Sequence, residues 1–315
     1  MTTTQSPRNK GGIHYIANLF DTLTSRDLPP AEALIQAYHW IKRYAEVEPH
    51  RFAVIKIGGE SIDPQRGISP AFVNDMGIFS RLQLFPPIIY GWGTALTERL
   101  RAQGIDSQFD TKTGDRVTLK EQEMAEVTNI SEEFGTSIVR TLVEHQIPAK
   151  LITNAFLGQP ILFDQYGQGH YTSRVTGVNI SKIVAAIAQG FVPVVSPLTV
   201  HETKGYFMNT NADSAASELT CKLAPHKFIY LTEVGCVKDL SQQRIPRIIL
   251  TRDYEKLCSD GTLKGGMRKK VDTIKHTLEV LAETGGITVA QIASPANLSV
   301  EVFTDQGAGT YVTLR

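Results

Sequence analysis

Lys56 and the glycines that follow it have the types and spacing of a phosphate site. Gly58 and Gly59 come directly after an apolar run that covers residues 52–57 and contains Lys56. Two glycines let the backbone turn tightly, and N–H groups exposed in such a turn form a nest for an anion. A lysine there would add charge where a transferred phosphoryl group needs it. Taken alone, an ordinary strand-end turn with a solvated lysine explains this segment better.

Two more glycine pairs stand where helices are predicted to begin. Gly91 and Gly93 follow a second apolar run, and Gly265 and Gly266 precede a basic segment that contains Lys270. Backbone N–H groups point outward at a helix N-terminus and favour an anion there. Both pairs are therefore phosphate candidates. A simple loop and a solvated basic helix face are the competing interpretations.

Polar residues follow two further apolar runs. Asn209, Asn211 and Asp213 lie within five residues and offer donors and acceptors to the carboxylate and amide of an amino acid. Asn211 or Asp213 would equally serve as an ordinary helix cap. Thr232 and Glu233 come after a predicted buried strand and favour a nucleotide-binding edge, although a solvated turn after a core strand is at least as good an interpretation.

The elements that must position these residues alternate along the chain. The predicted strands cover residues 52–57, 88–90, 149–153, 192–195, 228–231 and 287–290, and the predicted helices cover residues 71–84, 95–102, 119–145, 180–188, 212–223 and 268–284. Strands that are apolar on both faces and separated by helices imply a mostly parallel sheet covered on both sides. Such sheets bind ligands at the carboxyl ends of their strands, where the glycine turns stand. Residues 161–163 and 169–172 predict a β-hairpin flap.

An N-terminal region precedes this α/β pattern. Residues 1–12 read as a disordered tail, and residues 13–24 and 30–46 as two helices of an arm that spans residues 13–50. Each helix carries an apolar stripe, which indicates that the stripe is buried against other residues but not which residues these are. A cap on the same domain and an oligomerisation arm are equally good interpretations.

Composition excludes several classes of protein. The 315 residues carry 32 acidic and 32 basic side chains, so no general electrostatic attraction to nucleic acid or an anionic membrane is expected. The three cysteines, Cys221, Cys236 and Cys258, form no CxxC pair, and neither a zinc site nor a disulfide framework is suggested. No metal site made by the protein alone is expected. Without a membrane-length apolar run or a signal peptide, we expect a cytoplasmic protein.

The order of these motifs resembles the amino-acid kinase family. The motifs are Lys-x-Gly-Gly after a strand, Gly-x-Gly before a helix, Gly114-Asp115-Arg116-Val117-Thr118, Asn-x-Asn-Ala-Asp, Leu-Thr-Glu-Val and Gly-Gly-Met-x-x-Lys-Val. The resemblance covers roughly residues 51–313 and is strongest toward N-acetylglutamate kinases, above all the kinase part of bifunctional synthase/kinases. There an acetyltransferase domain follows. Because this chain ends at Arg315, we expect that domain to be absent.

The resemblance implies a fold and a reaction. The fold is a three-layer αβα sandwich in residues 51–315 with a mostly parallel central sheet, preceded by the arm. Its substrate side would occupy about residues 51–205 and its nucleotide side about residues 206–315. The reaction would transfer the γ-phosphoryl group of Mg-ATP to the side-chain carboxylate of N-acetyl-L-glutamate in arginine biosynthesis. The family also implies a homo-oligomer.

The resemblance assigns roles residue by residue. Lys56 would stabilise the phosphoryl group in flight, Lys270 would act from the nucleotide side, and Asp213 would orient both lysines. The binding residues implied are glycines for the phosphate (Gly58, Gly59, Gly91, Gly93), Arg116 and Asn209 for the amino acid, Thr232, Glu233, Gly265 and Gly266 for the nucleotide, and Glu301, Gly307 and Gly309 for arginine as an effector. The last three lie in or near a segment, residues 303–310, that is similar to the C-terminal signature of arginine-regulated members.

Three motifs depart from the family pattern. Trp92 stands where the family has the middle glycine of a turn, and a positive φ there would strain it. Glu233 replaces an aspartate. Asp115 puts a negative charge beside Arg116, which would repel an acidic substrate unless it is paired.

Three hypotheses remain open. The first is an N-acetylglutamate kinase, favoured by the presence of Lys56, Asp213 and Lys270. The second is a kinase of the same fold for another N-blocked acidic amino acid, which Tyr90, Trp92 and Asp115 favour. The third is a catalytically weak domain that senses arginine or serves assembly.

Overall fold

The structure is a computed structural model of the chain. It describes Leu19, Asp21 and Leu23 and residues 30–110, 114–162, 170–286, 288–305 and 307–315. The predicted tail at residues 1–12 and most of the first arm helix lie outside the described residues. All three cysteines are free thiols.

The described residues form nine α-helices and sixteen β-strands. The helices are α1 (Pro30–Ala45), α2 (Pro70–Arg81), α3 (Gly93–Ala102), α4 (Glu121–Glu144), α5 (Ser181–Ala188), α6 (Ala212–Leu223), α7 (Leu250–Ser259), α8 (Gly265–Glu283) and α9 (Leu298–Phe303). The strands are β1 (Ala53–Ile57), β2 (Ile62–Asp63), β3 (Gly67–Ile68), β4 (Ile88–Tyr90), β5 (Gln108–Phe109), β6 (Arg116–Val117), β7 (Ala149–Ile152), β8 (Phe156–Pro160), β9 (Ser173–Val178), β10 (Val192–Val195), β11 (Thr199–His201), β12 (Phe207–Met208), β13 (Lys227–Leu231), β14 (Arg247–Ile249), β15 (Val289–Ala293) and β16 (Thr310–Thr313).

Eight strands form one central sheet in the order β14-β16-β15-β13-β1-β4-β10-β7. Every residue of β1, β10 and β13 is buried, as the apolar runs predict for strands covered on both faces. All neighbouring strands run parallel except β15 and β16, which pair antiparallel. The predicted mostly parallel sheet is confirmed.

Helices cover both faces of this sheet. The connection from β1 through α2 to β4 steps one way along the sheet, and that from β10 through α6 to β13 steps the other way. Because such crossovers are right-handed, α2 and α6 must lie on opposite faces. Accordingly α2 packs on α4 and α9, whereas α6 packs on α8 and β1. The predicted three-layer sandwich is confirmed. The boundary between substrate and nucleotide sides near residue 205 stays a prediction.

A second, four-stranded sheet in the order β12-β11-β8-β9 lies beside the first, and the sequence did not reveal it. The predicted flap is the hairpin of β8 and β9, but its strands lie farther from the turn than residues 161–163 and 169–172. Backbone hydrogen bonds nevertheless continue from these strands toward the turn. The N–H of Ile161 donates to the Thr172 carbonyl, and the N–H of His170 donates to the Leu162 carbonyl. The turn itself lies outside the described residues.

Helix α1 is anchored to its own domain. The hydroxyl of Tyr44 donates to the carbonyl of Val302 at 2.7 Å, and the indole N–H of Trp40 donates to Asp305 at 3.0 Å. The other face of α1 leaves Leu34, Ile35 and Tyr38 exposed. The cap interpretation of α1 therefore holds for one face, and the exposed apolar face leaves the oligomer interpretation as a prediction. Across the described ranges, no helix is both long and apolar enough to cross a bilayer.

Candidate functional site

The first two glycine turns and the Thr232 turn follow three adjacent strands of the central sheet. Ile57 pairs with Tyr90 on one side and with Leu231 on the other, so all three chains leave the sheet at the same level. The N–H of Gly58 donates to the Leu231 carbonyl at 3.2 Å, and the N–H of Gly91 donates to the Ile57 carbonyl at 3.0 Å. These two glycines therefore use their N–H groups inside the sheet, so an expected role in holding phosphate through those groups does not fit their geometry.

The two turns touch each other backbone to backbone. A Cβ atom on Gly59 would lie 2.6 Å from the carbonyl oxygen of Gly91 and 2.7 Å from the Cα of Trp92. No side chain fits at such distances, so this position requires glycine. A Cβ atom on Gly93, by contrast, would meet no other atom within 4 Å. The close contact fixes the separation between the two turns.

Trp92 takes its place without backbone strain. Its φ of −149° is negative, so the positive φ that would strain a tryptophan does not occur. The side chain is only 5% exposed, and its ring centre lies 5.7 Å from that of Tyr90. The carbonyl of Trp92 accepts the N–H of Leu96 and so begins α3. The tryptophan thus fills space beside the turn and leaves the turn itself intact.

Lys56 and Asp213 form a buried ion pair. The Nζ of Lys56 lies 2.6 Å from Oδ1 of Asp213, and the two residues are 6% and 7% exposed. Asn211 is the N-cap of α6, because its side chain accepts the N–H of Asp213, and this cap aims the aspartate at β1. Burial would by itself raise the pKa of Asp213, but the charges of Lys56 and Lys270 outweigh it and lower this pKa. The Asp213 carboxylate is therefore ionised, and its negative charge attracts both lysines.

Arg116 is tied into the wall of the cleft. Its guanidinium donates to the carbonyl of Gly93 at 2.8 Å, to the hydroxyl of Thr97 at 2.6 Å and to the hydroxyl of Ser107. Its Cζ also lies 4.8 Å from the ring centre of Phe109. Burial lowers the pKa of Arg116 from its usual value. The arginine is thus held in one orientation, with its charge beside the second glycine turn.

Asp115, the acid beside this arginine, is paired. Its Oδ1 accepts from Nζ of Lys269 at 2.7 Å and from Nδ2 of Asn211 at 2.7 Å. The expected repulsion of an acidic substrate is therefore compensated by a lysine that the sequence reading assigned no role. Its position in the basic run beside Lys270 was the available signal.

A cavity of about 250 Å³ brings together seven of the candidate residues. It is lined by Lys56, Gly59, Gly91, Gly93, Arg116, Asn209 and Asp213, and also by Trp92, Phe109, Thr172, Ser173 and Thr210 among others. Asn209 is positioned by its side-chain amide, which donates to Thr118 at 3.0 Å. The wall residues Phe109, Thr172 and Ser173 were missed, because they belong to short or irregular strands whose sequences carry no motif.

The predicted nucleotide residues lie outside this cavity. Thr232 is buried at the end of β13, where its hydroxyl accepts the N–H of Gly235, whereas Glu233 is exposed. Gly265 and Gly266 begin α8 and are exposed, with open space around both. These four residues are therefore not among those that line the cavity with Lys56 and Arg116.

The three residues of the predicted arginine site do lie together. Oε1 of Glu301 accepts the N–H of Ala308 at 2.7 Å and of Gly309 at 2.8 Å. Gly307 has a φ of 63°, and a Cβ there would strike the Glu301 carboxylate at 2.1 Å. Burial raises the pKa of Glu301, against these bonds. In this arrangement the Glu301 carboxylate is hydrogen-bonded to the backbone of the loop that contains Ala308 and Gly309.

The comparisons with known proteins agree with this geometry. Residues 51–289 match the amino acid kinase family. The acetylglutamate kinase of Xylella fastidiosa (strain 9a5c) is 33% identical over 273 residues, which are 87% of this chain and 62% of that protein. The acetylglutamate kinase of Novosphingobium aromaticivorans is 28% identical over 306 residues, covering 90% of this chain and 96% of that protein.

A solved structure shows the same fold. The N-acetylglutamate synthase of Neisseria gonorrhoeae, complexed with coenzyme A and N-acetyl-glutamate, gives a TM-score of 0.72 at 19% identity, covering 89% of this chain and 62% of that chain. This chain spans about three fifths of the length of the first curated relatives. With the family match over most of its length and the central sheet and glycine turns described above, the chain belongs to the amino acid kinase family.

Proposed function

We propose that this protein transfers the γ-phosphoryl group of ATP to the side-chain carboxylate of N-acetyl-L-glutamate, a step of arginine biosynthesis. The observation that carries the proposal is the Lys56–Asp213 ion pair, 2.6 Å long, at the base of a cavity that also holds Arg116 and Asn209. A cation fixed beside two glycine turns suits a phosphate in transit. An arginine and an amide across the cavity suit an acylated amino acid.

The reaction needs no general base. The side-chain carboxylate of the substrate is ionised at neutral pH, so one of its oxygens attacks the γ-phosphorus directly. A new oxygen–phosphorus bond forms as the bond from phosphorus to the bridging β-oxygen breaks, and ADP leaves with that electron pair. Lys56 would stabilise the charge on the transferred group, and Lys270 would do so from the nucleotide side. Asp213 would keep both lysines in place.

The glycine turns would bind the phosphate through their outer N–H groups. Because Gly58 and Gly91 donate inside the sheet, the donors assigned are Gly59 and Gly93, together with the N–H that Trp92 retains. Mg²⁺ would arrive on the ATP phosphates, the usual way in which kinases acquire it. Thr232, Glu233, Gly265 and Gly266 would contact the nucleotide at the neighbouring edge.

The names of the relatives support the proposal. Those from Xylella and Novosphingobium are named acetylglutamate kinase, and the match to the second covers 96% of that protein. We further propose that the protein acts in the cytoplasm as a homo-oligomer, with arginine as an effector at Glu301, Gly307 and Gly309.

A second candidate function follows from the size of the cavity. Its volume of about 250 Å³ is bounded by the buried ring of Trp92, where the family has a glycine. A differently shaped N-blocked acidic amino acid would then be the better acceptor, with the phosphoryl chemistry unchanged.

The test is an ADP-release assay with ATP, Mg²⁺ and a panel of acceptors. The panel contains N-acetyl-L-glutamate, N-acetyl-L-aspartate, N-formyl-L-glutamate and free L-glutamate, with and without added arginine. We expect the highest kcat/KM for N-acetyl-L-glutamate and a lower rate with arginine. A higher kcat/KM for another acylated amino acid would establish the second candidate. If none of these acceptors supports ADP release, both candidate functions are refuted.

A further inference from the structure

Asp115 and Lys269 connect the two sides of the cleft. Asp115 directly precedes β6 on the side that carries Arg116, and Lys269 lies 154 residues later in the first turns of α8. Their 2.7 Å ion pair is partly shielded, since the side chains are 25% and 33% exposed. A Cβ on the neighbouring Gly114 would lie 3.7 Å from the same lysine nitrogen. The lysine therefore sits directly on the turn that leads to Arg116.

The hairpin that carries Arg116 has little structure of its own. Strands β5 and β6 have two residues each, and both residues of β5 are exposed. The N–H of Gly114 closes the turn onto the carbonyl of Asp110 at 2.8 Å. A hairpin this short is not stable by itself in water, so its position depends on side-chain contacts with the rest of the protein. Asp115 supplies such contacts to both α8 and the N-cap of α6.

We propose that the Asp115–Lys269 ion pair is a latch across the cleft that positions the β5–β6 hairpin, so that Arg116 meets its substrate only when α8 is in place. The two residues are positioning residues. The latch also keeps the Asp115 charge compensated beside an anionic acceptor. The acceptor side is thereby coupled to α8, the helix that begins at Gly265 and Gly266 on the proposed nucleotide side. This inference rests on the proposed function.

Three variants separate the latch from simple charge effects. Asp115→Asn keeps the shape and removes the charge, Lys269→Met keeps the length and removes the charge, and the double variant removes both. Lys275→Met is the matched control. It lies on the same helix, is 34% exposed, and breaks an ion pair of the same 2.7 Å length that stays within α8.

The kinetic readout is KM for the acyl amino acid, compared with KM for ATP and with kcat. We expect each single variant to raise the acceptor KM on the order of fivefold to tenfold, the double variant to raise it less than the two singles combined, and Lys275→Met to change nothing. Lys269→Met should be the worse single, because it leaves the Asp115 carboxylate uncompensated. A lower acceptor KM in Asp115→Asn would mean that this residue only repels substrate, and would overturn the latch.

Hydrogen exchange tests the latch without any substrate. The amides of Asp110 and Gly114, which donate within the hairpin, should exchange faster in both single variants than in the natural chain or in Lys275→Met. Unchanged exchange in both variants would overturn the latch. If the natural protein phosphorylates no acceptor of the panel, the proposed function fails, while the exchange experiment still decides the position of the hairpin.

Discussion

The Lys56–Asp213 pair is an expensive arrangement that chemistry explains better than stability does. Moving two charges out of water costs several kcal/mol per ion, and their attraction returns this only with good geometry. Replacing both with apolar residues is often neutral for stability. A lysine and an aspartate so deeply placed, at the end of a central strand and beside two glycine turns, therefore fit a ligand that needs the charge.

The pair predicts different outcomes for activity and stability. Lys56→Met should lower kcat by about 10²-fold or more, as loss of a preorganised charge does, and should also destabilise the fold by a few kcal/mol because Asp213 stays buried and charged. The double variant Lys56→Met/Asp213→Asn should recover stability without activity. Urea denaturation and initial rates measure the two quantities.

A second buried lysine provides the control. Lys227 is fully buried but belongs to the opposite end of β13, so Lys227→Met should change stability and leave kcat unaltered. If Lys56→Met retained more than a small fraction of the natural kcat, the assigned role of Lys56 would be wrong.

At the scale of elements, Lys227 also explains how α1 stays attached to the domain. Its Nζ lies 4.1 Å from the ring centre of Trp40 on α1 and donates to the carbonyl of Glu301 at the start of the last helical turn. Burial lowers the pKa of Lys227 to about 7. The contact between arm and core therefore holds an amine that loses its proton near neutral pH.

This contact predicts a pH dependence of stability. Between about pH 7 and 10.5, the unfolded chain holds a proton on Lys227 that the folded chain lacks. The free energy of unfolding should therefore rise with pH in that window, by up to about 1.4 kcal/mol per pH unit from this group. Below pH 7 both states are protonated, so Lys227 should no longer make the free energy of unfolding depend on pH.

Urea denaturation of the natural chain and Lys227→Met at pH 7, 8 and 9 measures it. The difference between the two proteins isolates Lys227 from its titratable neighbours, which include Glu301, Asp305 and His226. A difference that stays constant over this range would show that the amine keeps its proton in the folded state.

The elements that the sequence predicted best are those that combine a periodic residue pattern with a capping or breaking residue at their ends. Helix α6 begins and ends where expected, because Asn211 caps a run of small residues. The last predicted strand, residues 287–290, was misplaced by a few residues from Val289–Ala293, because the polar Gln291 interrupts the apolar run although its side chain is buried within the strand. Helix α7 was missed because its ten residues are mostly polar, with Leu250 as the one buried side chain.

For the candidate site, too, prediction succeeded only where a local sequence signal exists. The candidate residues at strand ends were predicted from motifs, whereas the pairing of Asp115 with Lys269 depends on two segments 154 residues apart. The commitment of the Gly58 and Gly91 N–H groups to the sheet was equally hidden, because it depends on strand register. Sequence alone carries no information on either.

At the scale of the whole molecule, one sheet runs through both halves of the chain. Strands β1, β4, β7 and β10 come from the N-terminal part of the chain, up to residue 205, and β13 to β16 come from the C-terminal part. The two parts meet where β1 pairs with β13 over five residues. Separating the halves would expose the edges of two strands that are buried on both faces. The halves should therefore depend on each other for stability.

We expect a single thermal unfolding transition for the domain. Differential scanning calorimetry should give equal calorimetric and van't Hoff enthalpies, since the halves cannot unfold independently. A fragment of residues 1–205 should remain unfolded when it is made alone. Two resolved transitions, or a folded fragment, would show that the sheet divides into independent units.

The strand order also has a consequence during synthesis. β1 emerges from the ribosome early, but its neighbour β13 begins only at Lys227. At about 5–20 residues per second, translation of the segment between them takes roughly ten to thirty seconds. Throughout that interval a nascent chain carries an apolar strand with an open edge, and for most of it Asp213, the partner of Lys56, has not yet been made. The strand order that brings the glycine turns together at the centre of the sheet should thus leave the newly made chain dependent on chaperones until its last third has been translated.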